Sequence, residues 1–425
     1  MEKIRTGISD FWANTNWLDR LIILAFVLSV SWLKFAPMVL GIAFIMSLFK
    51  RRSASEIKRR LFGFNSIAFW SIAFFLYHIV GMAWSTNMQF GWSDIGMKAS
   101  FLAVPFIVSI GQFSLTPKRF ATALAFLLVV VIKGLLIFAI CKSLYYSQDN
   151  HWAYFFESEY SRLIHRSYWA TYTALASTWI LYQLLSGEVK WKFPYILVWV
   201  MLSLSTFLTI SKAGIIIWVI LTFTVFLQLV LRKKWWKLLA TGVVGVIVLV
   251  CFLLFSNSRI ASRFKEIPNA ITSVKTENNP SVESNTARII MWSTSVKVIK
   301  EQWLLGAGTG DVKDVLLAKN IQLKNTGAAE RNLNSHNQFL NTWVQLGIVG
   351  FFLLIMLFVV TFRNAVRTKS VYGVLFAATM MLTMCFESFV ETQAGIVPFC
   401  LLLLLVNHRP DVKDIGTNTK IFKTL

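Results

Sequence analysis

ATALAFLLVVVIKGLLIFAIC, residues 121–141, carries one charged side chain, Lys133, in an otherwise uncharged and mostly apolar run. A helix rises about 1.5 Å per residue and the hydrocarbon core of a bilayer is about 30 Å thick, so about 20 such residues cross it. The stretch therefore reads as a membrane-spanning helix. Comparable runs lie near 20–33, 36–49, 65–83, 97–111, 167–186, 194–210, 214–231, 238–255, 339–362, 372–387 and 395–407. The first two, broken at Lys34 and Pro37, read either as two crossings or as a shallow hairpin beside ten full spans. The expected fold is all-α, a polytopic transmembrane helical bundle of about 12 spans.

Composition points the same way. The chain has 425 residues, 56% of them hydrophobic and 15% charged, whereas a soluble domain is about 45–50% apolar. Lys and Arg outnumber Asp and Glu by 42 to 20. These basic residues punctuate apolar runs and form no continuous stripe, which argues against nucleic acid as a partner. Alternate connections carry Arg51, Arg52, Lys58, Arg59 and Arg60, then Lys118 and Arg119, Lys190 and Lys192, Arg232 to Lys237, and Arg363, Arg367 and Lys369. With the termini, that side collects about two dozen cations against roughly six opposite, which places both termini in the cytoplasm. Trp235 and Trp236 beside a basic cluster are interfacial anchors. No small-residue cleavage site follows the first apolar run, so an uncleaved span is expected there. Cys141, Cys251, Cys385 and Cys400 all fall in apolar segments, without metal-ligand spacing or a disulfide framework.

Two outward segments stand apart. One, 142–166, crowds together Tyr145, Tyr146, Trp152, Tyr154, Phe155, Phe156 and Tyr160, as stacking surface or as a lid. The other, 256–338, is the single long soluble-like stretch and divides the chain into an N-terminal bundle of about nine spans (1–255), this loop domain, and C-terminal helices with a tail (339–425). Within it Ile289, Trp292, Val296 and Ile299 recur at helical spacing behind a Ser284 or Asn285 cap, and a second helix is expected from Asp311 to Lys319. Gly306-Ala307-Gly308-Thr309-Gly310-Asp311 lacks the spacing and preceding strand of a nucleotide loop and reads as a turn joining those helices. The loop's acids are scattered, so neither a metal site nor a nucleophilic triad is indicated, and no cofactor is expected.

A small set of polar residues remains. His336 lies in Asn334-Ser335-His336-Asn337-Gln338, where the loop re-enters an apolar run; with Ser335 or Asn334 as cap it falls in a helix's first turn. The positive end of a helix favours neutral imidazole, the form a general base uses. Arg288 falls in the first turn of the loop helix, where guanidinium and free backbone N–H groups can grip an anion, or simply be solvated. Lys212, in a tight outward turn, is an ionisable residue at membrane depth or one that snorkels to the surface. Lys133 is mid-span, with Glu387 a candidate partner. His165, Arg166, Tyr168, Asn337, Gln338, Glu387 and Gln393 are expected to line one outward cavity.

Several of these segments together resemble the O-antigen ligase and polymerase superfamily of bacterial inner-membrane glycosyltransferases. Ser335-His336-Asn337-Gln338-Phe339-Leu340, running on through Gln345-Leu346-Gly347-Ile348-Val349-Gly350, is similar to the family's His-Asn motif and following glycine-bearing helix. Thr286-Ala287-Arg288 and Leu304 to Gly308 resemble the region before it; Trp84 to Asn87 with Gly91, Ser100 to Pro105, His165 to Tyr168, and Glu387 to Gln393 resemble other family segments. The resemblance implies a GT-C-like fold in the bacterial inner membrane with a periplasmic loop. It implies transfer of a glycan from undecaprenyl pyrophosphate to an acceptor hydroxyl, without metal, most like an O-antigen ligase acting on lipid A–core oligosaccharide. Polymerases and protein O-oligosaccharyltransferases of the same superfamily are the alternatives. It further implies His336 as catalytic residue and Arg288 and Lys212 as diphosphate ligands. Lys212 stands where the family usually has a second arginine, and a lysine lacks the planar fork that grips phosphate. A lipid-linked oligosaccharide transporter would account for many spans, Lys133 and Glu387, but not for the long loop, and no paired halves are visible.

Overall fold

The computed structural model describes residues 15–49, 51–145, 151–233 and 284–408. The expected span at 238–255, loop residues 256–283 and both termini lie outside the described residues. What is described is helical, and its only bridge of β type is an isolated pair, Arg51 with Gly111.

The N-terminal part runs α1 (Trp17–Ser31), α2 (Ala36–Phe49), α3 (Ala54–Phe62), α4 (Ile67–Val80), α5 (Met88–Lys98), α6 (Ser100–Ile110) and α7 (Pro117–Tyr145). It continues with the short α8 (Glu157–Tyr160), then α9 (Arg166–Ser186), α10 (Lys192–Leu208) and α11 (Lys212–Lys233). The loop domain supplies α12 (Ser284–Glu301), α13 (Val312–Gln322) and α14 (Thr326–Glu330). The chain then re-enters the bundle as α15 (Gln338–Arg367), α16 (Val371–Phe386) and α17 (Gln393–Val406).

Among the described residues, four helical stretches are long and apolar enough to cross a membrane: Ile67–Trp84, Met88–Ile110, Pro117–Tyr145 and Gln338–Arg367. The other apolar helices are shorter, so the expected twelve crossings are not matched helix for helix. α1 and α2, at 15 and 14 residues, reach only about 20–23 Å at 1.5 Å per residue. They pack on each other as a hairpin. α9 has the length, but its buried Ser, Thr, Tyr and Gln side chains make it polar inside the bundle.

Every residue of α17 from Ala394 to Val406 is buried. A helix apolar all round belongs in the interior, and α17 is the axis on which α1, α6 and α16 pack. α15 lies against α4 and α16, and α9 against α10 and α11.

α15 is broken at Gly347, whose φ of 64° and ψ of −162° interrupt the helix. The turn from α12 to α13 docks into the break. Ala307 N–H and Gly308 N–H donate to the carbonyls of Val344 and Gln345 at 2.8 and 2.9 Å, and Ile348 N–H donates to Trp303 O at 3.0 Å. A Cβ on Gly347 would fall on the Leu304 carbonyl, so glycine is required by both conformation and space. The glycine-rich segment is thus the expected turn between two helices, and it also supplies the hydrogen bonds that the break leaves open. Asp311 ties this turn to the bundle by accepting from Thr86 N–H (2.8 Å) and Asn87 N–H (2.7 Å).

One expectation about α12 needs correction. Of the four expected residues Ile299 is buried, Ile289 and Trp292 are half-buried and Val296 is 41% exposed, while Thr286, Ala287, Met291, Thr294, Ser295 and Val298 complete the buried face. Thr294 and Ser295 are buried because their hydroxyls bond Asn320 and Ser335 at 2.9 Å each. Polar partners, rather than apolar spacing, set this face. In the aromatic segment, Tyr160 is buried with its hydroxyl on Ser205 Oγ at 2.7 Å, and so presents no stacking surface.

Candidate active site

Where α9, α11, α12 and the end of α16 meet the 331–336 segment, a cavity of about 700 Å³ opens. His165, Arg166, Tyr168, Lys212, Arg288, His336 and Glu387 all line it, although they come from segments more than two hundred residues apart. Asn337, Gln338 and Gln393 do not.

Glu387 is the centre. It ends α16 in extended conformation (φ −140°, ψ 141°), which turns its side chain away from the helix. Arg288 Nη2 donates to Oε1 at 2.6 Å and Ser167 Oγ donates to the same oxygen at 3.0 Å. Arg288 Nε also donates to Phe386 O at 3.0 Å. His336 Nδ1 stands 3.8 Å from Oε2, an ion-pair distance and not a hydrogen bond. Burial pushes the Glu387 carboxyl up, but His336, Arg288 and His165 outweigh it and bring it down to about 2. It is therefore a carboxylate at every physiological pH. Burial lowers His165, Glu387 opposes that, and the net direction is down, toward neutral imidazole.

His336 is not in the first turn of a helix. α15 starts at Gln338, and its cap is Asn337, whose Oδ1 accepts from Leu340 N–H at 3.0 Å. His336 precedes the cap with φ of +45°, a left-handed conformation rare for residues with a Cβ and often found at functional sites. Asn334 Oδ1 accepts from its N–H at 3.0 Å, and Trp292 Nε1 donates to its carbonyl at 3.4 Å. Its backbone is thus held on both sides while its side chain stays 27% exposed toward the cavity.

Asn337 turns the other way, donating to Cys385 O at 3.0 Å. Gln338 is fully buried and donates to Glu391 Oε1 at 2.9 Å. Lys133 faces outward from α7 and does not meet Glu387, which removes the ion pair that favoured a transporter. Tyr168 lies against Phe389 with ring centroids 4.7 Å apart and donates to Ser388 O at 3.3 Å.

Two features escape a reading of the sequence. Arg331, Trp292 and Asn334 also line the cavity; Arg331 lies five residues before His336, a proximity that could have flagged it. Behind the cavity, Lys98 is buried between Asp94 (2.5 Å) and Glu391 (3.0 Å). Gln345 Nε2 donates to Asp94 Oδ2 at 2.8 Å. An Asp–Lys pair at i,i+4 leading into an apolar run was the available signal.

Residues 196–355, from α10 to the middle of α15, match a protein family described as O-antigen ligase. This span contains Lys212, Arg288, Arg331 and His336. An uncharacterized protein of Haemophilus influenzae is 32% identical over 121 residues, 28% of this chain and 29% of the relative; the match thus spans under a third of that protein. The family match is a likeness over that segment, which is less than half of the chain. Among the described residues the chain has four helical stretches long and apolar enough to cross a membrane, and over 196–355 it is similar to the O-antigen ligase family.

Proposed function

We propose that this cavity transfers a glycan from undecaprenyl pyrophosphate to an acceptor hydroxyl, the lipid A–core oligosaccharide, as an O-antigen ligase in the bacterial inner membrane. One observation carries the proposal: Lys212, Arg288 and Arg331 line the cavity with one carboxylate, Glu387, beside His336, while Arg166, also in the lining, is held by Glu157 at 3.4 Å. A cationic cavity fits a diphosphate, and a histidine held against a carboxylate fits proton abstraction.

In this scheme the acceptor oxygen attacks the anomeric carbon in line, and the bond from that carbon to the phosphate oxygen breaks with inversion. The hydroxyl proton passes to His336. Glu387, facing Nδ1, orients the ring and stabilises the imidazolium, which leaves Nε2 for the acceptor. Arg288, Lys212 and Arg331 together line the side of the cavity where the departing undecaprenyl diphosphate would be stabilised. The long loop is placed in the periplasm and both termini in the cytoplasm, as the charge bias of the connections indicates. The described part of the loop packs through the 303–311 turn onto α15 at 344–348 and onto the 81–87 connection; a division into 1–255, 256–338 and 339–425 is part of this reading.

Purified protein incubated with undecaprenyl-pyrophosphate glycan tests the assignment. Product with lipid A–core alone supports a ligase; chain extension on a second donor molecule indicates a polymerase; product on protein Ser or Thr indicates an oligosaccharyltransferase. Arg288→Ala is expected to raise the donor KM more than the acceptor KM; equal effects would remove it from diphosphate binding.

A further inference from the structure

Two histidines stand on the cavity wall, and proton transfer occupies only His336. The other, His165, is reachable from the cavity at the start of α9. It caps that helix, its Nδ1 accepting from Ser167 N–H at 3.4 Å. An imidazole nitrogen that accepts a hydrogen bond carries no proton, so the proton of the neutral ring sits on Nε2. Burial in the wall lowers the pKa of the ring further than the Glu387 carboxylate raises it, and Arg166, Arg288 and His336 add to the lowering. The ring also lies edge-on against Tyr168, centroids 5.8 Å apart, which fixes its plane. His165 is thus a neutral imidazole with its lone pair turned to the helix and its N–H turned away.

Ser167 joins this histidine to the rest of the site. Its N–H reaches His165 while its Oγ donates to Glu387 Oε1 at 3.0 Å. Arg288 donates to the same carboxylate oxygen, and His336 faces the other. Among the described residues, the hydrogen bond to Ser167 is the one that the His165 ring makes. The two imidazoles therefore divide the chemistry. His336, beside a carboxylate, can take up a proton. His165, with Nδ1 occupied, can only give a hydrogen bond, so its ligand is an oxygen acceptor. Arg288 and Lys212 line the same cavity, and an anionic phosphate oxygen accepts more strongly than a neutral sugar oxygen.

We propose that His165 Nε2–H binds a phosphate oxygen of the undecaprenyl diphosphate, both in the donor and in the departing product. This rests on the proposed glycan transfer and adds an uncharged contact to it. Because the donor is neutral, the imidazolium formed at His336 meets no second one beside it.

Two substitutions separate the cap from the contact. Asparagine places an oxygen where Nδ1 lies and is a preferred N-cap, but has no donor at the Nε2 position. Glutamine places an amide donor near the Nε2 position and is not among the preferred caps. Binding of undecaprenyl pyrophosphate to the full chain in lipid nanodiscs is measured beside thermal unfolding. His165→Asn should weaken binding about tenfold with the melting temperature unchanged. His165→Gln should bind within about threefold of the unaltered chain and melt lower. Full binding by His165→Asn, or equal loss in both variants, would leave His165 a cap alone and overturn the contact. Arg288→Ala distinguishes this from failure of the proposed function. Binding that falls in Arg288→Ala but not in His165→Asn removes His165 only, whereas no retention of the lipid diphosphate by the unaltered chain removes both.

Discussion

Two ion clusters flank the same short connection between α16 and α17, and they differ in every respect that matters for function. Glu387, Arg288 and His336 form the first, with side chains 7, 18 and 27% exposed. Asp94, Lys98 and Glu391 form the second, with side chains 0, 1 and 13% exposed. The open cluster lies in a cavity with surplus cations and includes a strained residue. The closed cluster has a surplus of carboxylate, and its charges are met by Gln338 and Gln345 as well as by Lys98. Buried charge satisfied from all sides is scaffolding; buried charge left partly open to a cavity is available for chemistry. Gln338 reaches into the closed cluster from two residues beyond His336, so the scaffold holds the start of the helix that follows the histidine.

The largest expected effect follows from that contrast. His336→Ala should lower glycan transfer by about a hundred- to ten-thousand-fold, with melting temperature in detergent nearly unchanged; transfer at the normal rate would leave the open cluster without its proposed base. Lys98→Met should do the reverse, destabilising by about 3–5 kcal/mol because two carboxylates lose their cation. Adding Asp94→Asn and Glu391→Gln should recover most of that loss in thermal unfolding. If the triple variant stays as unstable as Lys98→Met, charge is not what the closed cluster provides.

A pH experiment distinguishes Glu387 within the open cluster. Its carboxyl is lowered from 4.5 to about 2, so the stability it contributes is complete above pH 4.5 and is lost as pH falls toward 2. That window is worth about 3 kcal/mol. Glu387→Gln should flatten the corresponding part of the melting-temperature profile between pH 3 and 5, and an unchanged slope would contradict the pairing. A last test concerns the frame that both clusters share. Gly347→Ala, at φ of 64° and against the Leu304 carbonyl, should cost about 1–3 kcal/mol from backbone conformation alone, with the clash against Leu304 adding to it. Amide exchange should then quicken at Ala307 and Gly308, whose N–H groups bond across the break.

The helices are largely legible in the sequence. The run at 121–141 became Pro117–Tyr145 and the run at 167–186 became Arg166–Ser186, because apolar length dominates both. Helical spacing at 289–299 locates the loop helix Ser284–Glu301, but it includes the exposed Val296 and omits the buried Thr294 and Ser295. Apolar spacing cannot register that Thr294 and Ser295 find hydroxyl and amide partners from other segments. His336 was singled out by its position, but its cap was misassigned: Asn334, Ser335 and Asn337 are all competent caps, and only packing decides which one turns inward. Lys133 and Glu387 looked like partners because both were unexplained charges. Arg288 and Ser167 had the shorter reach.

Sequence by itself determined that this is an apolar helical membrane protein with one long polar loop, and it marked His336, Arg288 and Lys212. Those properties follow from local quantities, the length of apolar runs and the placement of charge between them. Only the tertiary structure decided that Glu387, expected in the cavity, pairs with Arg288 and Ser167, that Asn337 and Gln338 turn away, and that a glycine-rich turn fills a broken helix. Each of those depends on which distant group satisfies a buried polar atom, and such pairings are set by packing across hundreds of residues.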